Sequence, residues 1–314
     1  MLTRACVLTL TCLAFAPALR GASQSPSSPA STVPAQASGR TNTVFVTVTE
    51  NAGGPVLDLA PADFSIKEDG KDREVLRAEI ANVPLHVMLL VDDNGTGIFR
   101  FPVAQFIQQI AGRADIAIST VTGQTQTLVD YTTSMDALSK AVNTLTARPA
   151  TNDGGQLLEG IFQTARDQGR RRYACPIIVA LTVGGEEHST VPAHHVLDEL
   201  AKSGSRLYVV QVAAAQILRP NVAITAPKQL LGENLNLSEV LGEGPKQTGG
   251  QRIEIVAAPG LVQGLQRIAV ELKSQYAVAY ARPDGRARPT ERIAVTVRRR
   301  GLTLRAPSRV PGIQ

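Results

Sequence analysis

The sequence predicts an α/β protein: a Rossmann-like, doubly wound, mostly parallel sheet with a small flanking β unit formed by the N- and C-terminal strands. Three observations predict it. The run LHVMLLVD (85–92) is continuously apolar and ends in Asp92-Asp93-Asn94-Gly95-Thr96, the pattern of a central parallel strand opening onto a ligand-side loop. Further apolar runs at 173–182 and 206–214 alternate with stretches of helical period, which calls for right-handed crossovers. Aromatics make up 4% of 314 residues and tryptophan is absent, so the core must be built from Val, Leu, Ile and Ala.

Taken in order, residues 1–22 carry Arg4, the apolar run VLTLTCLAFAPAL and small residues, the pattern of a secretory signal too short to span a membrane. Cys12 lacks the Leu-small-small approach of a lipoprotein signal, so no lipid anchor is expected, and no transmembrane segment remains after cleavage. The expectation is an exported protein, periplasmic or extracellular. Residues 23–41, rich in Ser, Pro and Ala, read as a flexible linker.

An N-terminal β unit is expected over 42–82. TVFVTVTE (43–50) alternates apolar and polar, and Asp69-Gly70 marks a hairpin within 64–80. These strands are too few for a barrel or sandwich, so the C-terminal strands are their expected partners. The α/β domain is expected over 83–276. After the central strand comes a helix with Phe101, Ala104, Ile107 and Ile110 on one stripe. Two strands, 114–122 and 124–132, form an antiparallel edge about Gly123. A helix follows with Met135, Leu138, Val142 and Leu145 inward, capped by Thr133 or Ser134, and then one with Leu158, Ile161, Phe162 and Ala165. The strand 173–182 is expected buried on both faces. A helix over 192–202 stopping before Gly204, the strand 206–214, a loop with a short helical insert over 216–247, the strand 252–256 and a helix over 259–276 complete the domain. Residues 277–314 are expected as C-terminal β strands with a basic tail.

That tail holds nine arginines against Asp284 and Glu291, a net charge of +7 out of +5 for the whole chain. With +2 in the signal, the body between is acidic by 4. A basic end on an acidic body could contact an anionic envelope component; solvated arginines alternating with Ile, Val and Leu on exposed strands are the simpler and preferred explanation, and no nucleic acid is expected for an exported chain. Cys6 and Cys12 leave with the signal, so Cys175 stands alone as a small buried hydrophobe.

Catalytic patterns are missing: there is no Gly-x-Ser-x-Gly elbow, P-loop or His-Glu-x-x-His, and an enzyme is not expected. Asp92 and Asp93 leave a strand end on opposite sides, against a paired-carboxylate acid/base site. Glu186, Glu187, His188, His194 and His195 form a polar cluster, but adjacent histidines on a helix diverge by about 100° and do not converge on one ion. His86, in the central strand, reads as a hydrogen-bonded core residue.

The segments VTENAGGPVLDLAPADFSIKEDGKDREV, MLLVDDNGTG, VALTVGG, KQTGGQ, LQRIAVELKSQYAVAYARPDG and RIAVTVRRRGLTLRA, in this order over most of 43–306, resemble von Willebrand factor type A (VWA) domains, and more narrowly the exported bacterial VWFA-related proteins. The resemblance implies a binding role and a metal-ion-dependent adhesion site: an Asp-x-Ser-x-Ser turn, a Thr in a second loop and an Asp in a third. A hard Mg²⁺ wants octahedral oxygens, with one position left for a partner's carboxylate. In this chain Asp92 matches, Asn94 and Thr96 replace the serines, Gln156 stands where the Thr would be and Val183 where the third-loop Asp would be. The binding-loop candidates are therefore Asp92, Asp93, Asn94, Thr96, Asp153, Gln156 and Glu186. If any metal binds, Mg or Mn would sit on Asp92, Asn94 and Thr96, but the expectation is a degenerate, metal-free site that grips an unidentified protein partner. Two alternatives stand beside it: an envelope assembly component docking through its β unit and basic end, and Mg-dependent ligand binding at Asp92.

Overall fold

The computed structural model describes residues 40–121, 123–147, 154–185, 187–213, 229–282 and 292–311. In chain order these are β1 (Arg40–Glu50), β2 (Phe64–Glu68), β3 (Lys71–Arg73), β4 (Val75–Ile80), β5 (Leu85–Asp92), α1 (Arg100–Ile110), β6 (Ala114–Thr120), β7 (Gln126–Thr132), α2 (Met135–Asn143) and α3 (Leu157–Arg171). There follow β8 (Pro176–Thr182), α4 (Ala193–Ser203), β9 (Arg206–Val212), α5 (Gln229–Thr248), β10 (Arg252–Ile255), α6 (Gly260–Lys273), β11 (Tyr276–Arg282), β12 (Ile293–Val297) and β13 (Leu302–Arg305). The expected signal and nearly all of the linker lie outside the described residues.

Six strands form the central sheet in the order β10-β9-β8-β5-β6-β7. Neighbours are parallel except β6 and β7, the expected antiparallel edge. The order reverses at β5, which runs between β8 and β6, so the turn after Asp92 opens at the switch point of a doubly wound sheet, where crossovers leave in opposite directions. The alternation of β5 side chains divides the core. Val87, Leu89 and Val91 pack with α1, α2 and α6 on one face; Met88 and Leu90 pack with α3, α4 and α5 on the other. At about 1.5–3 kcal/mol for each fully buried large aliphatic side chain, these two layers hold the strand ends in place.

A second body of strands flanks this sheet. β1 pairs antiparallel with β11 and β13, β4 adds to β11, and β2 joins β12 and β3 in a separate sheet. Val44, Val46, Phe64, Ile66, Tyr276, Val278 and Tyr280 form the core between the sheets. The N- and C-terminal strands are thus partners, as expected. Asp69 (φ 49°) and Gly70 (φ 79°) form the hairpin turn with both central residues left-handed.

Several expectations are corrected. Arg40 and Thr41 belong to β1 rather than to a linker. The second arm of the hairpin is not one strand: it breaks at Glu74, β3 staying with β2 and β4 crossing to β11. Phe101 is 63% exposed; the buried stripe of α1 is Val103, Phe106, Ile107 and Ile110, with Phe99 before it. Met135, 38% exposed, lies off the buried face of α2, whose cap is Ser134, accepting from Ala137 N at 3.4 Å. The stretch expected as a loop with a short insert contains the 20-residue helix α5. Its Leu237, Val240 and Leu241 are buried at helical spacing, and Gly244 permits close approach to the sheet, since a Cβ there would come within 2.8 Å of Leu207 Cδ2. Tyr276 is the first residue of β11, not the last of a helix. Among the described residues no helix is long and apolar enough to cross a membrane.

Candidate functional site

Parallel register places Asp92 opposite Thr182, the last residues of β5 and β8. The Asp92 carbonyl accepts from Val183 N at 3.0 Å, so the third loop leaves the sheet directly against the first. Asp92 Oδ2 accepts from Thr182 Oγ1 at 2.7 Å, and that hydroxyl in turn accepts from Gly184 N at 2.8 Å. On the other side stands Gly155: a Cβ at that position would be 3.2 Å from Asp92 Oδ1. Asp92 is therefore enclosed, at 7% exposure.

Asp93 turns away from it and closes the loop. Its Oδ1 accepts from Gly95 N at 2.9 Å and its Oδ2 from Gly97 N at 3.1 Å, while Thr96 N donates to the Asp93 carbonyl at 2.9 Å. Asn94 (φ 45°), Gly95 (φ 75°) and Gly97 (φ 69°) are all left-handed, the conformation that lets two amides reach one carboxylate. Gly97 is further required by the approach of residue 147, whose backbone N would stand 2.6 Å from a Cβ. Thr96 Oγ1 accepts from Ile98 N at 3.4 Å. Asn94 Oδ1 is buried without a hydrogen-bond partner.

The third carboxylate is Glu187, which the sequence offers beside Val183 together with the chosen candidate Glu186. Glu187, 2% exposed, reaches back to the start of α3, where Leu157 N donates to Oε2 at 3.2 Å and Leu158 N to Oε1 at 3.3 Å. Gln156 precedes that helix and makes no side-chain cap, so Glu187 answers its unpaired amides. The two loops are joined further by the Gly155–Glu187 bridge, by His188 N donating to Gly155 O at 2.7 Å, and by Glu159 receiving Thr190 N and Thr190 Oγ1, each at 3.1 Å. This loop thus brings Glu187 to the start of α3, near enough to Asp92 for its charge to act there. Asp153 and Glu186 lie outside the described residues.

Burial pushes the Asp92 carboxyl from its ordinary value near 3.8 up to about 6; the Thr182 hydrogen bond opposes the rise, and the nearby charges of Glu187 and Asp93 add to it. Burial also raises Glu187, against the hydrogen bonds from Ser189, Leu158 and Leu157. Set against an octahedral Mg²⁺, the donors are the buried Asp92 carboxylate, the Asn94 amide oxygen and the Thr96 hydroxyl. Val183, 3% exposed, has no ligand atom, and the oxygens of Asp93 and Glu187 accept backbone amides instead. Three side-chain donors fall short of the ion's octahedron, and the second and third loops bond to each other; the Asn94 amide oxygen is the one donor without a protein partner.

The remaining candidates are apart from this turn. His194 and His195 lie on α4 with ring centroids 4.3 Å apart and tilted by 60°, closer than divergence on a helix suggests. Among the described residues no three His, Cys, Asp or Glu side chains gather as a metal-ligand group. His86 stacks on Tyr173 at 3.7 Å and lies 3.5 Å from Asp115; its Nδ1 is buried without a partner. Cys175 is buried just before β8.

No family model matches the chain, and no curated protein matches it. Similar solved structures include conserved hypothetical protein BatB from Bacteroides thetaiotaomicron (13% identity, 60% of this chain and 100% of that one, TM-score 0.43). An aerotolerance-related membrane protein from Bacteroides fragilis is similar at 14% identity over 60% of this chain and 98% of that one, TM-score 0.42. A von Willebrand factor type A protein from Catenulispora acidiphila is similar at 12% identity over 88% of this chain and 75% of that one, TM-score 0.42. With scores this low the fold class rests on the strand order and register described above.

Proposed function

We propose that this chain is an exported, VWA-type protein-interaction module that grips its partner without a bridging metal and without catalysis. The observation that carries the reading is a separation of polar and apolar groups at the carboxyl end of the parallel sheet. The carboxylates of Asp92, Asp93 and Glu187 turn inward to hydroxyl and amide donors. Large apolar side chains stand outward at the same end: Phe101 at the start of α1, 63% exposed, and Val256 just past β10, 71% exposed. Exposed aromatic and aliphatic anchors near a rigid loop cluster are what a protein partner buries, and an enclosed acid with a short donor set offers little to an ion. Export rests on the pattern of residues 1–22.

The test is capture of partners from envelope extract by the full chain. Capture that survives chelator and is lost in Phe101→Ser supports the reading, since Phe101 is outside the core and its replacement leaves folding intact. Capture abolished by chelator and unaffected at Phe101 would replace it with ion-bridged binding through Asp92, Asn94 and Thr96.

A further inference from the structure

At the opposite end of the sheet, where the parallel strands begin, a cleft of about 470 Å³ opens between the start of β1, the last turns of α3 and α4, and the chain after β13. Among the described residues its charged lining has one sign: Arg172, Lys202, Arg206 and Arg309, with no aspartate or glutamate. An adjoining depression shares Arg172 and Lys202 and adds Arg166 and Arg170, opposed there by Glu199. The cations thus run as a track along the ends of two helices into the cleft.

The plainer explanation is that basic residues offset helix C-termini. It accounts for part of the charge only. Two helix ends supply about half a negative charge each. Leaving Arg172 aside, and adding Glu199 and Asp198, which pairs with Arg309 at 3.4 Å, the other five cations retain an excess of roughly two positive charges among the described residues. Two positions also carry a cost. Arg172 is left-handed (φ 54°, ψ 44°) where a glycine would be unstrained, a conformation that disfavours an arginine. Arg206 is 4% exposed; its Nη2 lies 2.8 Å from Cys175 Sγ, its guanidinium 5.3 Å over Phe45, and its Nη1 is buried without a partner. A buried guanidinium with an unanswered N–H leaves positive potential in the cleft wall that hydrogen bonding does not offset.

We propose that this cleft and track bind a linear polyanion carried on sugar rings, an acidic polysaccharide. Repeated anionic groups match the spaced cations of Arg166, Arg170, Arg172 and Lys202, while half-buried Phe45 and Pro307 in the cleft wall give ring faces an apolar surface. The choice of a sugar backbone over a nucleic acid rests on the proposed export; the cation track does not. Of the C-terminal arginines, Arg309 takes part, whereas exposed Arg298 and Arg300 lie outside it.

The full chain is titrated with a heparin hexasaccharide, a neutral dextran oligosaccharide of equal length and a single-stranded oligonucleotide of equal charge. The heparin probe is expected to bind with an affinity that falls as salt rises, and the neutral probe not to bind. The triple variant Arg172→Gly, Lys202→Gln, Arg309→Gln is expected to lose about tenfold or more in affinity, and Arg298→Gln with Arg300→Gln to stay within about twofold. Should the triple variant unfold at a lower temperature than the parent, Lys202→Gln alone is read, since its side chain is 73% exposed. Absence of salt-dependent heparin binding, or equal losses in the two sets of variants, would overturn the cleft. Tighter binding of the oligonucleotide would overturn the sugar assignment and, with it, weigh against export; neither result bears on the Phe101 capture assay.

Discussion

A carboxyl group enclosed beside two others keeps its proton longer than one in water, and Asp92 is in that position. In the folded protein it holds its proton to about pH 6, in the unfolded chain to about 3.8. Between these values the folded state binds more protons, so the group's contribution to stability is full below the lower value and falls as pH rises through the upper one. Above pH 6 it stands as a penalty of about 3 kcal/mol. Asp92→Asn keeps an oxygen to accept from Thr182 and removes the charge. The variant is expected to be more stable than the parent at neutral pH, by up to about 3 kcal/mol, with the difference vanishing toward pH 4, as read by urea unfolding across pH. A variant less stable at neutral pH would mean that the ionised carboxylate has a favourable partner. The turn at Asp92 and Asp93 was legible because its residues are consecutive and their left-handed backbone suits Asn and Gly. Thr182 offered a weaker signal, a hydroxyl one position before Val183.

At the scale of elements, the start of α3 is completed by a residue 30 positions later in the chain. No local cap marks Gln156, and Glu187 looks in sequence like one of several charges in a polar loop; pairing them requires the parallel crossover from β5 to β8. That is why the sequence offers Glu186 and Glu187 alike near Val183 and does not show that Glu187 caps α3. Glu187→Ala is expected to cost about 1–2 kcal/mol in thermal or urea unfolding by leaving two helix amides without acceptors. It should also lower the Asp92 titration midpoint, seen by carbon NMR of the carboxyl, because one neighbouring negative charge is gone. Lost stability with an unmoved midpoint would separate the cap from the electrostatics. The misread α5 has a related cause. Gly232, Gly242, Gly244 and Pro245 suggest a loop locally, yet Gly244 is where the helix meets Leu207 of β9. Phe101 was placed inward because the spacing 101, 104, 107 and 110 fits a helix as well as 99, 103, 106, 107 and 110 does, and only the packing distinguishes them.

For the whole molecule, the flanking strands and the central sheet are tied at Glu271 of α6. Thr47 of β1 donates to it at 3.0 Å, Tyr208 of β9 at 2.9 Å and Gln251 at 2.8 Å, with Arg305 of β13 as its ionic partner. At 5% exposure this carboxylate joins the first and last described strands to the core of the sheet. Glu271→Gln leaves Arg305 without its counter-ion and turns one acceptor into a donor, so a loss of about 3–5 kcal/mol is expected in urea unfolding. Loss below about 1 kcal/mol would show that the network is not what couples the two. The partnership of the terminal strands was legible from their alternation and from their being too few to stand alone; the split at Glu74 was not, because both halves have strand character and only the two sheets tell them apart. The proposed metal-free grip requires the Asp92 carboxylate at the end of β5 to be held by protein donors alone. The most direct measurement is an electron paramagnetic resonance titration of Mn²⁺ into the full chain at neutral pH. The aqueous-ion signal is expected to be undiminished by the protein; a signal quenched by the parent and restored in Asp92→Asn would contradict it.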